Sequence, residues 1–431
     1  MKRKFTPQLL GLAAASALLA SPGGAQAQAP ACTHTVGMVV SLTGAAGRFG
    51  QAASKSVELA FNELNKAGGA GGIAGCKLGF ELRDAQSQGS VAVDQARQLV
   101  DLKKVPALIG GIISSVSIPI ITSVTGPAGV VQISPASTSP TLTKLGLEGK
   151  TNGWFFRTIT SDALQGTAAA KYALDQGLND LVIIHVNNDF GVNMLAEFRR
   201  AYEALGGKVR SVTPYNPQQP SYAAEVTNAL KADSPALYFI GYPGDGTSII
   251  RTWVQQGGPQ KFLFNDGMNA ADFIKGVGPQ FLSNALGTSS GTSKTPSTEY
   301  FAQAYPAMSG GFDAGAPAAD RAFDAAAILG LAIAHAGKFE AAAIRDSIRK
   351  VTEAGGEVVN AGPAGFARAL QLIKDKKPLR YVGVIGAVQF DKVGDIVGPF
   401  RTWKIVNGEV TTVGQMSAEE VQAVQARLPA R

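Results

Sequence analysis

The sequence predicts an α/β protein of two lobes, each built on a central, mainly parallel sheet. Short apolar runs bounded by turn residues alternate with segments whose apolar positions repeat at helical spacing, which is the pattern of βαβ units. The alternation occurs twice, with a polar, Gly-containing stretch at 148–154 between the two sets. The composition fits. With 431 residues, 45% hydrophobic and 16% charged, and with 51 Gly and 22 Pro, the chain has ample apolar material for cores and no coiled-coil or low-complexity bias.

In the first set the apolar run 36–42 is a strand. A loop with Arg48-Phe49-Gly50 leads into helix 51–66, where Ala53, Val57, Ala60, Phe61 and Leu64 share one face. Strand 77–83, helix 90–102, strand 105–110, helix 116–126 and strand 129–134 continue the rhythm. The second set runs through helix 162–176, strand 181–186, helix 191–205, strand 208–214, helix 221–232, strand 236–241, helix 246–256 and strand 261–265. The remainder holds an apolar helix 317–336 with Pro317 in its first turn, and a helix 339–351. Gln389-Phe390-Asp391-Lys392-Val393-Gly394-Asp395 then lies between two strand-like runs, expected to form a hairpin that returns to an earlier lobe and makes the lobes discontinuous.

The N-terminus reads as an export signal. Lys2-Arg3-Lys4 is a positive segment, residues 9–20 are apolar, and Ala25-Gln26-Ala27 offers small residues for cleavage after Ala27. A membrane anchor is the alternative, but the 12-residue run falls short of the roughly 20 that span a bilayer. Removing Lys2, Arg3 and Lys4 leaves 36 basic against 32 acidic residues, so the formal charge drops from +7 to +4 with no basic run. That argues against nucleic-acid binding. In an oxidising compartment Cys32 and Cys76, each just before a strand, can bridge if those strands are parallel neighbours; two unpaired thiols are the alternative.

Several motifs lose their force in context. Gly69-Ala70-Gly71-Gly72-Ile73-Ala74 spells a dinucleotide fingerprint but follows a helix and precedes a strand, the reverse of what pyrophosphate binding requires. Gly287-Thr288-Ser289-Ser290-Gly291 spells a nucleophile elbow, with His335 downstream, but the polar stretch 292–297 offers no immediate helix. His34 and His185 have no Cys or carboxylate at ligand spacing, and His335 falls near the end of an apolar helix where it suits a cap, which argues against a metal. The informative polar residues lie at strand C-terminal ends, where parallel sheets bind ligands. Ser114-Ser115 enters a helix after strand 105–110, and Pro135-Ala136-Ser137-Thr138-Ser139-Pro140 follows strand 129–134; together they form an anion site or, on the blander reading, ordinary helix caps. Asn188-Asp189-Phe190-Gly191, Gly241-Tyr242-Pro243 and Asn265-Asp266-Gly267 occupy the equivalent ends of the second set.

At these residues the chain resembles the type I periplasmic solute-binding proteins of ABC transporters, in the leucine/isoleucine/valine-binding branch. The resemblance runs in order through VGMVVSLTGAAGRFG, ELAFNELNKAGGAGGIAG, RDAQSQ, ALIGG, ISPASTSPTLT, FFRTITSDALQG, NNDFGVNML, YFIGYPGDG and GAVQFDKVGDIVGPF. It implies two Rossmann-like lobes joined by three crossings and hinged about an interlobe cleft. The division expected is a signal peptide at 1–27, one lobe from 28–156 plus about 290–384, a second from 157–289 plus about 385–418, and a tail at 419–431.

The resemblance assigns a ligand carboxylate to Ser115 with Ser114 beside it, and to Ala136, Ser137 and Thr138. It assigns the ligand ammonium to Asp266 helped by Thr138, and the pocket wall to Phe49, Phe190 and Tyr242. Phe190 stands where branched-chain binders often have Tyr, and Asp266 where some relatives have Glu, which changes pocket volume and polarity. The implied protein is periplasmic and monomeric, without catalysis, cofactor or metal. It binds an amino acid or related solute and delivers it to an inner-membrane permease. A sensor of the same fold, a binder of an aromatic acid, short amide or urea, and an exported serine hydrolase acting through Ser289 are the alternatives.

Overall fold

The computed structural model describes residues 32–429; the expected export signal lies outside the described residues. Five parallel strands make the first sheet: β1 (Thr33–Val40), β2 (Lys77–Asp84), β3 (Ala107–Gly110), β4 (Val131–Ser134) and β5 (Phe155–Arg157), in the order β2-β1-β3-β4-β5. The second sheet contains β6 (Asp180–Val186), β7 (Lys208–Tyr215), β8 (Leu237–Ile240), β9 (Phe262–Phe264) and β10 (Ala285–Ser290) in the order β7-β6-β8-β9-β10. Both sheets therefore follow the same winding, and each has its topological switch between its first and third strands in chain order. Loops leaving the carboxyl ends at such switches form ligand crevices.

Helices cover both faces of each sheet, so the central strands are apolar throughout rather than alternating. β4 is buried along its whole length, and so is β8. The helix Gly47–Gly68 buries Ala53, Val57, Ala60, Phe61 and Leu64, as its spacing predicts, and packs against the helix Ala319–Ala336. Residues 296–387 thereby extend the first lobe. They include β11 (Glu357–Asn360), β12 (Leu379–Gly383) and β13 (Gly386–Ala387), which form a small third sheet.

β14 (Phe400–Val406) and β15 (Glu409–Met416) make the antiparallel hairpin, and β14 adds to the second sheet beside β10. This corrects the expected hairpin about 389–395. The turn is Asn407-Gly408, both at positive φ (53° and 82°), a pair suited to tight hairpins because Asn and Gly tolerate the left-handed region. Residues 389–395 instead run between the small sheet and the second lobe. The helix Ala418–Gln425 packs on the helix Asp162–Asp175.

Other local departures have clear causes. Pro140 takes the first turn of the helix Pro140–Leu147, which is capped by the Ser139 hydroxyl accepting from the Thr141 N–H at 3.2 Å. Pro317 lies before its helix: Ala318 is left-handed at φ 66° and the helix begins at Ala319. The residues 285–290 are a fully buried strand despite their small and hydroxyl side chains. β1 and β2 pair in parallel with Thr33 opposite Lys77, and Cys32 and Cys76 form a disulfide with Cα atoms 5.0 Å apart.

The lobes are joined where three segments lie side by side. Thr160 bridges to Ile396, the Gly291 N–H donates to the Pro399 carbonyl at 2.7 Å, and the Thr160 and Ser290 hydroxyls are hydrogen-bonded to each other.

Candidate functional site

A cavity of about 190 Å³ lies between the lobes. From the first lobe it is lined by Phe49, Ile112, Ile113, Ser114, Ala136 and Thr138; from the second, by Phe190, Tyr242, Asp266 and Arg401 among others.

On the first lobe two loops are pinned together. The chain leaves β3, turns through Gly110-Gly111 and enters a helix at Ser114. Gly110 has φ 142°, and a Cβ there would run into the Val39 carbonyl, so the turn requires glycine. The Ser114 hydroxyl accepts from the Ser139 N–H at 3.1 Å, which leaves its own proton available. The Ser134 hydroxyl donates to the Gly111 carbonyl at 2.8 Å and accepts from the Ser137 N–H at 3.1 Å.

Beneath the 136–139 turn lies Arg157, fully buried. Its Nη1 donates to the carbonyls of Ser137 (3.1 Å) and Ser139 (3.2 Å), while Nε and Nη2 grip the Asp395 carboxylate at 2.7 and 2.8 Å. A bidentate pair of this kind fixes orientation as well as position. It draws two carbonyls of the turn toward Arg157 and ties the turn to the chain just before the third crossing.

The Thr138 hydroxyl donates to Asp162 Oδ2 at 2.7 Å, so its proton is committed and its lone pairs are what remain for a ligand. Asp162 is fully buried; burial pushes its carboxyl well above the usual range, and the nearby negative charge of Asp266 adds to the rise. Burial raises Asp266 too, against the stabilising contacts from Asn265 and Gly267 and the positive charge of Arg321. Asp266 follows β9 in a tight turn, and its Oδ1 accepts from the Gly267 N–H at 2.9 Å and from Asn265 Nδ2 at 3.3 Å. Asn265 also bonds both backbone groups of Gly241, at 2.9 and 3.2 Å, which locks the ends of β8 and β9 together.

Aromatic rings form the wall. Asn188 caps the helix Asp189–Ala204 by accepting from the Phe190 and Gly191 N–H groups, both at 3.1 Å, and donates to the Tyr242 hydroxyl at 3.3 Å. The Tyr242 ring lies 5.5 Å from Phe190 and 6.3 Å from Phe49 of the other lobe, edge-on to the latter. At the rim Arg48 Nε meets Asp272 Oδ2 at 2.6 Å, and Gln218 Nε2 donates to the Gln86 carbonyl at 3.3 Å. The lobes are therefore in contact across the mouth of the cleft, and the conformation is closed.

Of the residues singled out from sequence, Ser114, Ala136, Thr138, Asp266, Phe49, Phe190 and Tyr242 converge on the cavity. Ser115 and Ser137 are not among the lining residues. Ser137 is buried behind the loop, its hydroxyl 2.7 Å from that of Ser117, so of the Ser114-Ser115 pair it is the first that faces the space.

Sequence reasoning missed the segment 314–318, which closes one side, and the two arginines Arg321 and Arg401. Arg321 donates to the carbonyls of Ser290 (2.9 Å) and Gly291 (3.2 Å) and to Asp320 at 2.6 Å, clasping a crossing strand. Gly310-Gly311 and Pro317 were the available signals for the loop. The hydrolase alternative has no geometry: the Ser289 hydroxyl accepts from Trp403 Nε1 at 2.8 Å, and His335 pairs with Ser347 at 3.0 Å.

The sequence model of the family described as periplasmic binding protein matches residues 33–376. The chain belongs to the periplasmic binding protein family. It is 26% identical over 379 residues to the Leu/Ile/Val-binding protein homolog 3 of Brucella melitensis, covering 87% of this chain and 92% of that one. The leucine-binding protein LivK of Thermotoga maritima superposes with a TM-score of 0.73 at 23% identity, over 90% of this periplasmic binding protein and 99% of LivK. A solute-binding protein of an ABC transporter from R. palustris, in complex with benzoate, superposes with the same TM-score of 0.73 at 15% identity, over 90% and 97% of the two chains. These structures share the two-lobed α/β fold, and the relatives are solute-binding proteins rather than enzymes.

Proposed function

We propose that the protein captures an amino acid or amino-acid-like solute between its lobes and presents it to the permease of an ABC transporter. One observation carries this reading: hydrogen-bonding groups of one lobe, at Ser114 and the turn 136–138, share a small cavity with the Asp266 carboxylate of the other. The solute's carboxylate takes the Ser114 hydroxyl proton and the backbone N–H groups of the turn and helix start. Its ammonium sits between Asp266 and the lone pairs of Thr138, whose proton already goes to Asp162. Phe49, Phe190 and Tyr242 enclose the rest. A ligand that touches both lobes stabilises the closed state by its differential affinity for it. In this reading the lobes comprise residues 28–156 plus about 290–384, and 157–289 plus about 385–418.

Titration calorimetry with a panel of amino acids, aromatic acids and amides tests the reading. Leaving a buried ammonium without its counter-ion costs about 2 to 5 kcal/mol, so Asp266→Ala should weaken the cognate amino acid by about one and a half to three and a half decades. Unchanged affinity would sink the assignment. A second reading, an aromatic acid, is favoured by the ring cluster around Tyr242. Such a ligand has no ammonium, and its affinity should survive Asp266→Ala.

A further inference from the structure

Arg401 has no function in the site as described so far. It lies on β14, opposite Ser289 of β10, and lines both the inner cavity and the adjoining space toward Arg48 and Asp272. The residue is partly exposed, and the burial of its inner part holds the guanidinium below its ordinary value. Its Nε is buried without a hydrogen-bond partner, and among the described residues no carboxylate lies within ion-pairing distance of it.

The neighbouring acids are already engaged. Asp320 accepts from Arg321 at both its Oδ2 (2.6 Å, from Nη1) and its Oδ1 (2.8 Å, from the backbone N–H). Asp266 is the acid that the proposed ammonium occupies. A buried Nε–H without an acceptor is costly to keep, and a carboxylate is the partner that matches the planar donors of an arginine. The other arginine facing the cavity, Arg321, already spends its donors on Asp320 and two carbonyls.

We infer that Arg401 binds a second acidic group at the far end of the solute, so that the preferred ligand class is the acidic amino acids. The inference rests on the amino-acid reading of the cavity. The α-carboxylate and ammonium use Ser114, Thr138 and Asp266, and the side-chain acid reaches the segment bounded by Arg401 and residues 315–317. The small cavity suits a solute of this size, and its apolar rings pack the intervening methylenes. A branched-chain side chain in the same place would leave the buried Nε–H unpaired, which is discrimination by an unsatisfied buried group.

Calorimetric titration of the purified protein with L-glutamate, L-aspartate, L-glutamine, L-asparagine and L-leucine tests this. The expected result is an acidic amino acid bound at least about 30-fold more tightly than its amide, with Arg401→Gln abolishing that preference and changing the amide's affinity by less than about threefold. Arg401→Lys, which keeps the charge but loses the fork, should retain part of the preference. Binding of L-leucine or L-glutamine as tightly as L-glutamate overturns the role of Arg401 and leaves the amino-acid reading standing. An unchanged L-glutamate affinity in Arg401→Gln does the same. If no amino acid binds, acidic or neutral, both readings fall.

Discussion

Asp324 carries a residue-scale lesson in where charge can be stored. It is buried in the helix Ala319–Ala336 and accepts from the Tyr381 hydroxyl (2.8 Å) and from the N–H groups of Val384 (2.9 Å) and Ile385 (2.8 Å), holding the turn between β12 and β13. Burial nevertheless outweighs these donors and pushes its carboxyl up to about 7. Because the folded value lies above the unfolded one, the folded state holds the proton more tightly. Its stabilising contribution is therefore full in acid, near the ordinary value of 3.8, and is lost as pH rises toward about 7. Thermal melts across that window should show a fall in midpoint that is flattened in Asp324→Asn; parallel profiles for the two proteins would refute it. At this scale the sequence was legible where a side chain sat at the carboxyl end of a parallel strand, as with Ser114, Thr138 and Asp266. It was not legible for Arg401, whose place in the site depends on an antiparallel hairpin joining from more than a hundred residues downstream of β10, nor for Arg321, which is embedded in a helix that reads as core.

The elements themselves follow from pattern to different degrees. Long amphipathic helices and buried apolar strands announced themselves by period, whereas β5 is three residues long and β10 is built from small and hydroxyl residues, so both were silent until their neighbours buried them. The turn at Asn407-Gly408 was a readable signal overlooked in favour of the Gly394 region. The disulfide belongs to this scale, since it staples the start of β1 to the start of β2 across a separation of 44 residues. Replacing both cysteines by serine should cost about 2 to 4 kcal/mol of stability. Ligand affinity measured in the same double variant should be unchanged, because the bridge lies at the amino ends of the strands and the cavity at their carboxyl ends. A loss of binding without a loss of stability would contradict that separation.

For the whole molecule, closure is shared between the cavity and the rim. The Arg48–Asp272 pair is half exposed on both sides (52% and 61%), so it contributes at most about 1 kcal/mol and is screened by salt. Asp272→Ala should accordingly weaken the ligand by about twofold to fivefold at low ionic strength, with the difference narrowing at high salt, as read by titration at two salt concentrations. A loss of several decades would mean that the rim, rather than the cavity, holds the lobes together.

The brace at Arg157 has a further consequence for the order of events. Three of its partners, Ser137, Ser139 and Thr143, lie in the chain that follows β4, and the fourth, Asp395, lies just before the third crossing. The 136–139 turn is thus held in shape by contacts within the protein. Under the proposed function, a solute would meet this turn already in place by its acid end, and closure of the second lobe would follow, as landing and then latching.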